Sequence, residues 1–596
     1  MTTYRAPVAE TRFLLEEVLG IGRYANLPGF ADASPDVVAA ILEEAGRFAA
    51  DELAPLNRVG DVEGCVRHAD GRVTTPPGFR EAYRRYAAGG WLGLAADPRY
   101  GGQGLPYVLA AAVNEYANSA NAALALYGGL VQAAFTALKL HGDEAQKQLY
   151  LPRLASGEWA GTMNLTEPQA GTDLGLLTTR ASPAPDGSYA ITGAKIFITG
   201  GEHDLTDNIV HLVLARRDGA PAGTRGLSLF VVPKVLPNGD GSLGARNAVV
   251  CTAIEEKMGI HGSATCAMSY EGATGWLVGE ADKGLRAMFT MMNEARLGVG
   301  IQGLAQSEAA CQAAAAYARD RRQGRSLTGA RDPAAAADPI LVHADIRRTL
   351  VGIRGFNLAA RALALSAALD ADIAERSPDA AARQAAEDRL GLLTPVVKGV
   401  LTDRGFDNTV AAQQVFGGHG YVAETGVEQL VRDARILPIY EGTNGVQALD
   451  LVGRKLPKDG GRAVMAFFAE VGDFLRDHDG PELAAFVRPT RKGLDDLRAA
   501  TMWFMANAMT NPDNAGAGAT DYMHLFGLVA LGYMWGRMAA AAAPLIAAGD
   551  PRAVRLAADL AVGRAYVERA LPETALRLAR ITAGSEAVMA IPAAAF

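Results

Sequence analysis

The run Met163-Asn164-Leu165-Thr166-Glu167-Pro168-Gln169-Ala170-Gly171-Thr172-Asp173 ends one texture of sequence and begins another. Before it, to about residue 160, apolar residues recur near a helical period: Val37, Val38, Ile41, Leu42, Ala45 and Phe48, then the Ala/Leu-rich stretches 107–126 and 133–140. After it, short β-rich runs at 189–192, 195–199, 209–215, 227–232 and 249–254 alternate with Gly, Pro and Asn turns, and 237–247 reads as a loop. Many short strands between turn signals predict an antiparallel sandwich or barrel. From about residue 284 the helical period returns. Residues 285–321 read as one long helix or a helix pair, 323–339 as a Gly/Pro/Asp loop, 346–369 and 392–416 as helices, and 376–389 as a polar connector. A last helical block follows 455–461 and is broken by a loop at 511–520.

The expected fold class is mainly α with a central β domain. An N-terminal helical domain (1–160) precedes a middle antiparallel β-barrel (161–285). A C-terminal four-helix bundle (286–460) and an additional helical domain (461–596) complete the chain. Its 596 residues carry 57 Lys+Arg and 65 Asp+Glu, a net charge of −8, with 49% hydrophobic residues. That composition buries a core, and its acidity argues against a nucleic-acid-coating protein. Four cysteines with no CxxC pair fit a reducing compartment, so a cytoplasmic location is expected. Nine histidines without HExxH spacing or clustering give no reason to expect a metal. Residues 1–10 show no apolar core of a secretory signal. The apolar run 522–548 contains Arg537 and Pro544, so a buried bundle helix is expected there rather than a membrane span, with peripheral membrane contact left open.

Four segments carry candidate chemistry. In 163–173, Pro168 and Gly171 form a turn that exposes backbone N–H groups, and Thr166 and Thr172 add hydroxyl donors. Such a turn suits an anionic or carbonyl-rich ligand, or is simply a polar turn. Lys195-Ile196-Phe197-Ile198-Thr199-Gly200-Gly201 places Phe197 and Thr199 on one strand face, where a ring beside a hydroxyl suits a flat heteroaromatic ligand or an ordinary core. Gln413-Gln414-Val415-Phe416-Gly417-Gly418-His419-Gly420-Tyr421 ends a helix in glycines, for close backbone approach or a left-handed cap. It is not GxGxxG after a strand, so a Rossmann site is excluded. In Ile439-Tyr440-Glu441-Gly442-Thr443, a carboxylate sits between an aromatic and a glycine. Desolvated, it is a base near neutrality; hydrated, it is a loop glutamate.

In order and setting these segments resemble the acyl-CoA dehydrogenase family of flavoenzymes. The resemblance runs from about residue 40 to 455 and includes the arginine segment Ala318-Arg319-Asp320-Arg321-Arg322. The whole chain resembles a bacterial branch of the family that has a C-terminal extension. The resemblance implies non-covalent FAD between the β domain and the second helical domain. It assigns Met163, Leu165 and Thr166 to the flavin ring, with Gly171 and Thr172 at the pyrophosphate turn. Phe197 would lie against the flavin and Thr199 near its N5. Arg321, Gln414 and Gly418 would reach the cofactor of a neighbouring subunit, and Thr443 that of its own.

By the same resemblance, Glu441 removes the α-proton of an acyl-CoA while the β-hydride leaves to FAD, and electrons pass to electron-transferring flavoprotein. Arg296, Tyr440 and Gly442 would border the substrate. Some members place the base just before the arginine matching Arg296; here that position is Ala295, which cannot accept a proton, and Glu294 is rotated about 100° away on the helix. The substrate is open between 3-methylmercaptopropionyl-CoA and a medium- or long-chain acyl-CoA. Departures from the family pattern are Phe197 for the commoner Trp, Gly445 for a Gln, and Gly324 for a Phe. The extension after residue 461 is expected to cover the surface that pairs dimers, leaving a homodimer. The alternatives are an acyl-CoA oxidase using O₂ and a DNA-binding relative, which the net charge and the presence of Glu441 disfavour.

Overall fold

The Ala- and Leu-rich stretches ahead of residue 160 form three consecutive helices, Tyr107–Ala120 (α1), Ala122–His141 (α2) and Glu144–Ser156 (α3). Asn121 caps α2 by accepting the Leu124 N–H at 3.0 Å, and Asp143 and Gln146 form a capping box on α3. The computed structural model describes residues Tyr4–Phe596. These helices lie in a compact unit spanning Glu44–Gly298; a second compact unit joins the segment ending at Glu43 to Val299–Phe596.

Seven strands follow: Trp159–Asn164 (β1), Arg180–Pro183 (β2), Tyr189–Thr199 (β3), Asn208–Arg217 (β4), Leu227–Pro233 (β5), Val249–Ile254 (β6) and Thr265–Val278 (β7). The pairings β7–β3–β2–β4–β5 return to β7, so five strands close a ring, with β6 and β1 flanking it. The expected barrel is therefore present, but it is not wholly antiparallel, because β1–β4 and β2–β4 run parallel. Both parallel pairs are separated in sequence by at least one other strand, which supplies the length a parallel return needs. Alternation of apolar residues does not encode strand direction. Every residue of β5 and most of β4 are buried, and Ile191, Val213, Phe230, Val249 and Met268 form the barrel core. The loop expected at 237–247 contains one arm of a small hairpin, Val235–Pro237 paired with Leu243–Arg246.

A single helix, Gly284–Asp320 (α4), occupies the stretch read as one helix or two. Next come Ala344–Arg376 (α5), Ala380–Val415 (α6), Val427–Ala434 (α7) and Asn444–Asp450 (α8). The polar connector expected at 376–389 shrinks to three residues. Asp379 accepts the Ala381 N–H at 2.9 Å and starts α6 early, and Ala-rich residues 380–386 propagate it.

The extension contributes Arg462–Asp477 (α9), Ala484–Asn507 (α10), Asp513–Ala547 (α11) and Ala553–Ala570 (α12). The loop expected at 511–520 is mostly the start of α11. Asn511 accepts the Asp513 N–H at 3.1 Å, and Gly518 admits the Phe504 ring, so packing overrides weak helix propensity.

Helices α2, α5 and α11 are long and apolar enough to cross a membrane by length and composition. In α11, 83% of the most apolar window is buried inside the protein, as the sequence led us to expect. Its Arg537 donates to the Val18 carbonyl at 2.9 Å. Helix α11 packs against α5, α6 and α8. At two points the contact is at backbone distance: a Cβ on Gly399 would stand 2.2 Å from the Met523 sulfur, and one on Gly527 2.6 Å from the Val400 side chain.

Candidate active site

In the β unit, β1 ends at Asn164 and leads into the Met163–Asp173 segment. Met163, Leu165 and Thr166 are half-buried, while Gly171 and Thr172 are exposed. The Ile196 N–H donates to the Thr166 carbonyl at 2.9 Å, tying this segment to β3. On β3 the register slips: Ile198 faces Cys266 but Lys195 faces Met268, so Ile196 and Phe197 together oppose one residue. Phe197 takes the extra place with φ +58 and stays 60% exposed. The bulge, not simple alternation, aims the ring outward. Thr199 lies half-buried two residues on, its carbonyl accepting from the Thr162 hydroxyl at 2.7 Å. Arg296 is buried on α4, with Nη1 3.4 Å from Asn293 Oδ1.

In the helical unit, Glu441 follows α7 in a tight turn with φ +55, and Gly442 follows at φ +84. The Tyr440 hydroxyl points inward and donates to Gln302 Oε1. Burial first, then the neighbouring Glu441 charge, pushes that phenol well above its usual range. Thr443 caps α8 by accepting the Val446 N–H at 3.4 Å. Arg321, Gln414 and Gly418 lie exposed, Arg321 just beyond the end of α4 and the other two at the end of α6. The two ends are joined where Tyr317 stacks on Phe416 at 4.3 Å and its hydroxyl meets His419 at 3.1 Å.

Five non-glycine residues among those described have positive φ: Phe197, Ile260, Asp282, Glu441 and Asp459. Two of the five are the ring and the carboxylate singled out from sequence. A non-glycine residue in this region is strained, and such strain gathers at functional sites.

Sequence reasoning missed what braces these loops. Lys195 is fully buried and donates to the Leu165 carbonyl at 2.8 Å and to Glu167 at 2.9 Å. Glu167 also accepts from the backbone and hydroxyls of Thr178 and Thr179. Burial alone would raise this carboxyl, but Lys195 and the threonine donors outweigh it and hold it at about 2. Burial draws the Lys195 ammonium down to about 8.

Behind Glu441, buried Lys398 donates to the Gly442 carbonyl at 2.9 Å and to Asn444 Oδ1 at 2.7 Å. Gln447 donates to the Glu441 and Gly442 carbonyls, each at 3.2 Å. The available signal was a lysine inside the apolar run Leu392–Leu401 and another in the buried phase of a strand.

Family models match nearly the whole chain: acyl-CoA dehydrogenase N-terminal domain over residues 36–158, middle domain over 162–273 and C-terminal domain over 282–456. A fourth, described as acetyl-CoA dehydrogenase C-terminal like, matches 467–592. The chain belongs to the acyl-CoA dehydrogenase family. Its members are oxidoreductases acting on the CH–CH bond of acyl-CoA. The 3-methylmercaptopropionyl-CoA dehydrogenase of Ruegeria pomeroyi is 43% identical over 97% of this chain and 98% of that relative. The broad-specificity linear acyl-CoA dehydrogenase FadE5 of Mycobacterium tuberculosis is 35% identical over 92% of each chain. The structure of Caenorhabditis elegans ACDH-11 in complex with C11-CoA shares the fold, with a TM-score of 0.77 at 19% identity over 96% of this chain and 92% of that one.

Proposed function

We propose that this acyl-CoA dehydrogenase uses FAD and Glu441 to desaturate a short acyl-CoA thioester, with 3-methylmercaptopropionyl-CoA the first substrate to test. The observation that carries this reading is the paired strain at Phe197 and Glu441. The residues fit FAD. The exposed Phe197 ring offers a stacking face, and a Cβ at Gly171 or Gly418 would meet nothing in this chain, so open space fronts the backbone at both glycines. Met163, Leu165, Thr166, Gly171, Thr172, Phe197, Thr199 and Thr443 would hold it, with Arg321, Gln414 and Gly418 reaching the cofactor of a second copy. When bound, FAD supplies the acceptor for the hydride leaving the substrate β-carbon.

The chain's own part is proton removal and charge stabilisation. An α-proton beside a thioester is weakly acidic, so the base must be desolvated and held still. Glu441 takes that proton on its carboxylate. Its backbone N–H would polarise the thioester oxygen, a stabilisation commonly worth about 3–4 kcal/mol. Arg296, Tyr440 and Gly442 would border the acyl group.

Identity with the Ruegeria pomeroyi enzyme over nearly the full length supports the methylthio-substituted substrate; FadE5 supports linear chains as the second reading. Electron-transferring flavoprotein is the proposed acceptor, the cytoplasm the proposed location and a homodimer the proposed assembly, since the extension covers outer faces of α5 and α6. Anaerobic bleaching of the flavin across a panel of acyl-CoAs tests the reading. Fast bleaching by 3-methylmercaptopropionyl-CoA supports it; no bleaching by any thioester overturns it. Stoichiometric peroxide in air would mark an oxidase instead.

A further inference from the structure

We infer that His524, on helix α11 of the C-terminal extension, is a positioning residue for the Glu441 turn, acting through Asp403 and Asn444. This rests on the reading of Glu441 as the base. Buried His524 donates from Nε2 to Asp403 Oδ2 at 2.9 Å. The other oxygen of that carboxylate, Oδ1, accepts from Asn444 Nδ2 at 2.7 Å. The Asn444 amide also donates to Thr402 Oγ1 at 2.9 Å and to the Gly399 carbonyl at 3.1 Å. At its opposite end, Asn444 Oδ1 accepts from Lys398, the ammonium that holds the Gly442 carbonyl. One relay of hydrogen bonds therefore runs from the extension to the carbonyl of Gly442, the residue after Glu441.

The logic is orientational. An amide has a donor end and an acceptor end, and this one is fixed because Asp403 accepts at the first and Lys398 donates at the second. The Asp403 side chain retains 29% exposure, so it is not pinned by burial alone. His524 supplies the bond that keeps its Oδ1 turned toward Asn444. Without that bond the carboxylate can swing to water, and the Asn444 amide, held at its donor end only by Thr402 and Gly399, presents its Oδ1 to Lys398 less firmly. A left-handed glutamate returns to the ordinary backbone region when its restraints loosen. Displacing a catalytic group by about 1 Å costs up to about 100-fold in rate.

The test uses the FAD-loaded full chain. His524→Leu keeps volume and removes the donor; His524→Gln restores a donor. The expected result is a bleaching rate about 5–20-fold lower for His524→Leu, within the range a sub-ångström displacement allows. Acyl-CoA affinity and flavin content should stay within about twofold, and His524→Gln should recover most of the rate. Wild-type bleaching by His524→Leu overturns the inference. So does an equal loss in both variants that follows thermal stability. If His524→Leu does not fold, Asp403→Asn replaces it, with the same rate-without-affinity split required. Glu441→Gln is measured alongside. If it bleaches normally, the base assignment falls; if it is silent while His524→Leu matches wild type, only the relay falls.

Discussion

A buried lysine stands behind the Met163–Asp173 segment in one unit and another behind the Glu441 turn in the other, and the two meet different partners. Lys195 bonds the Leu165 carbonyl and a carboxylate, Glu167. Lys398 bonds the Gly442 carbonyl and an amide, Asn444. The first is a buried ion pair saturated by threonine donors, a rigid shelf for the segment that would face the flavin. The second bonds a carbonyl of the turn that carries Glu441 and an amide that in turn bonds Asp403, so it ties that turn into a relay. A shelf needs only stiffness. A base must also be held in one orientation, and the bond to the Gly442 carbonyl braces the residue after Glu441.

The largest expected effect tests the second loop directly. Glu441→Gln should lower the anaerobic bleaching rate by about 10²–10⁴-fold while acyl-CoA binding, followed by titration of the flavin spectrum, persists. Next is the shelf. Lys195→Met strands Glu167 as a buried charge and should cost about 3–5 kcal/mol in denaturant unfolding, with much of the loss recovered by adding Glu167→Gln. The corresponding change on the other side, Lys398→Met, leaves the Gly442 carbonyl and Asn444 Oδ1 without this donor and should cost about 1–3 kcal/mol, and should depress the bleaching rate as well. Equal stability losses for the two lysine variants would break the comparison.

Acid sharpens it further. The Glu167 carboxyl is held at about 2 in the folded chain against an ordinary 4.5. A depressed folded value means the pair stabilises fully above pH 4.5, and that stability drains away as pH falls towards 2. In Glu167→Gln, this part of the acid dependence should vanish from unfolding curves taken across that window. The smallest effect belongs to the bulge: Phe197→Gly should stabilise the flavin-free protein by up to about 1 kcal/mol, because the ring is largely exposed and the strain disappears, while flavin is retained less tightly.

The candidate turn at Glu441 was legible because it is local. Glu441, its flanking tyrosine and its glycine are consecutive, so the turn is written in one short run. Phe197 was legible as a residue but not as a direction, since its aim depends on a slip against β7 that no local pattern records. The lysine braces join residues 28–46 apart in sequence, and a polar atom's partner at that distance cannot be read from either residue. Helix content was legible from periodicity. The run of Gly, Asn and Pro at the start of α11 was misread because each residue disfavours a helix alone, while Phe504 and Asn511 make one worthwhile together.

The interlock between α11 and α6, sulfur on glycine at one point and valine on glycine at the other, bears on how this gene tolerates truncation. A premature stop codon between residues 461 and 523 would not give a shorter working enzyme like the smaller members of the family. It would strip the cover from two greasy helices and remove the neighbour for which Gly399 was left bare, so the product would clump or be degraded. Nonsense mutations that remove α11 should therefore be as damaging as those in the middle of the reading frame.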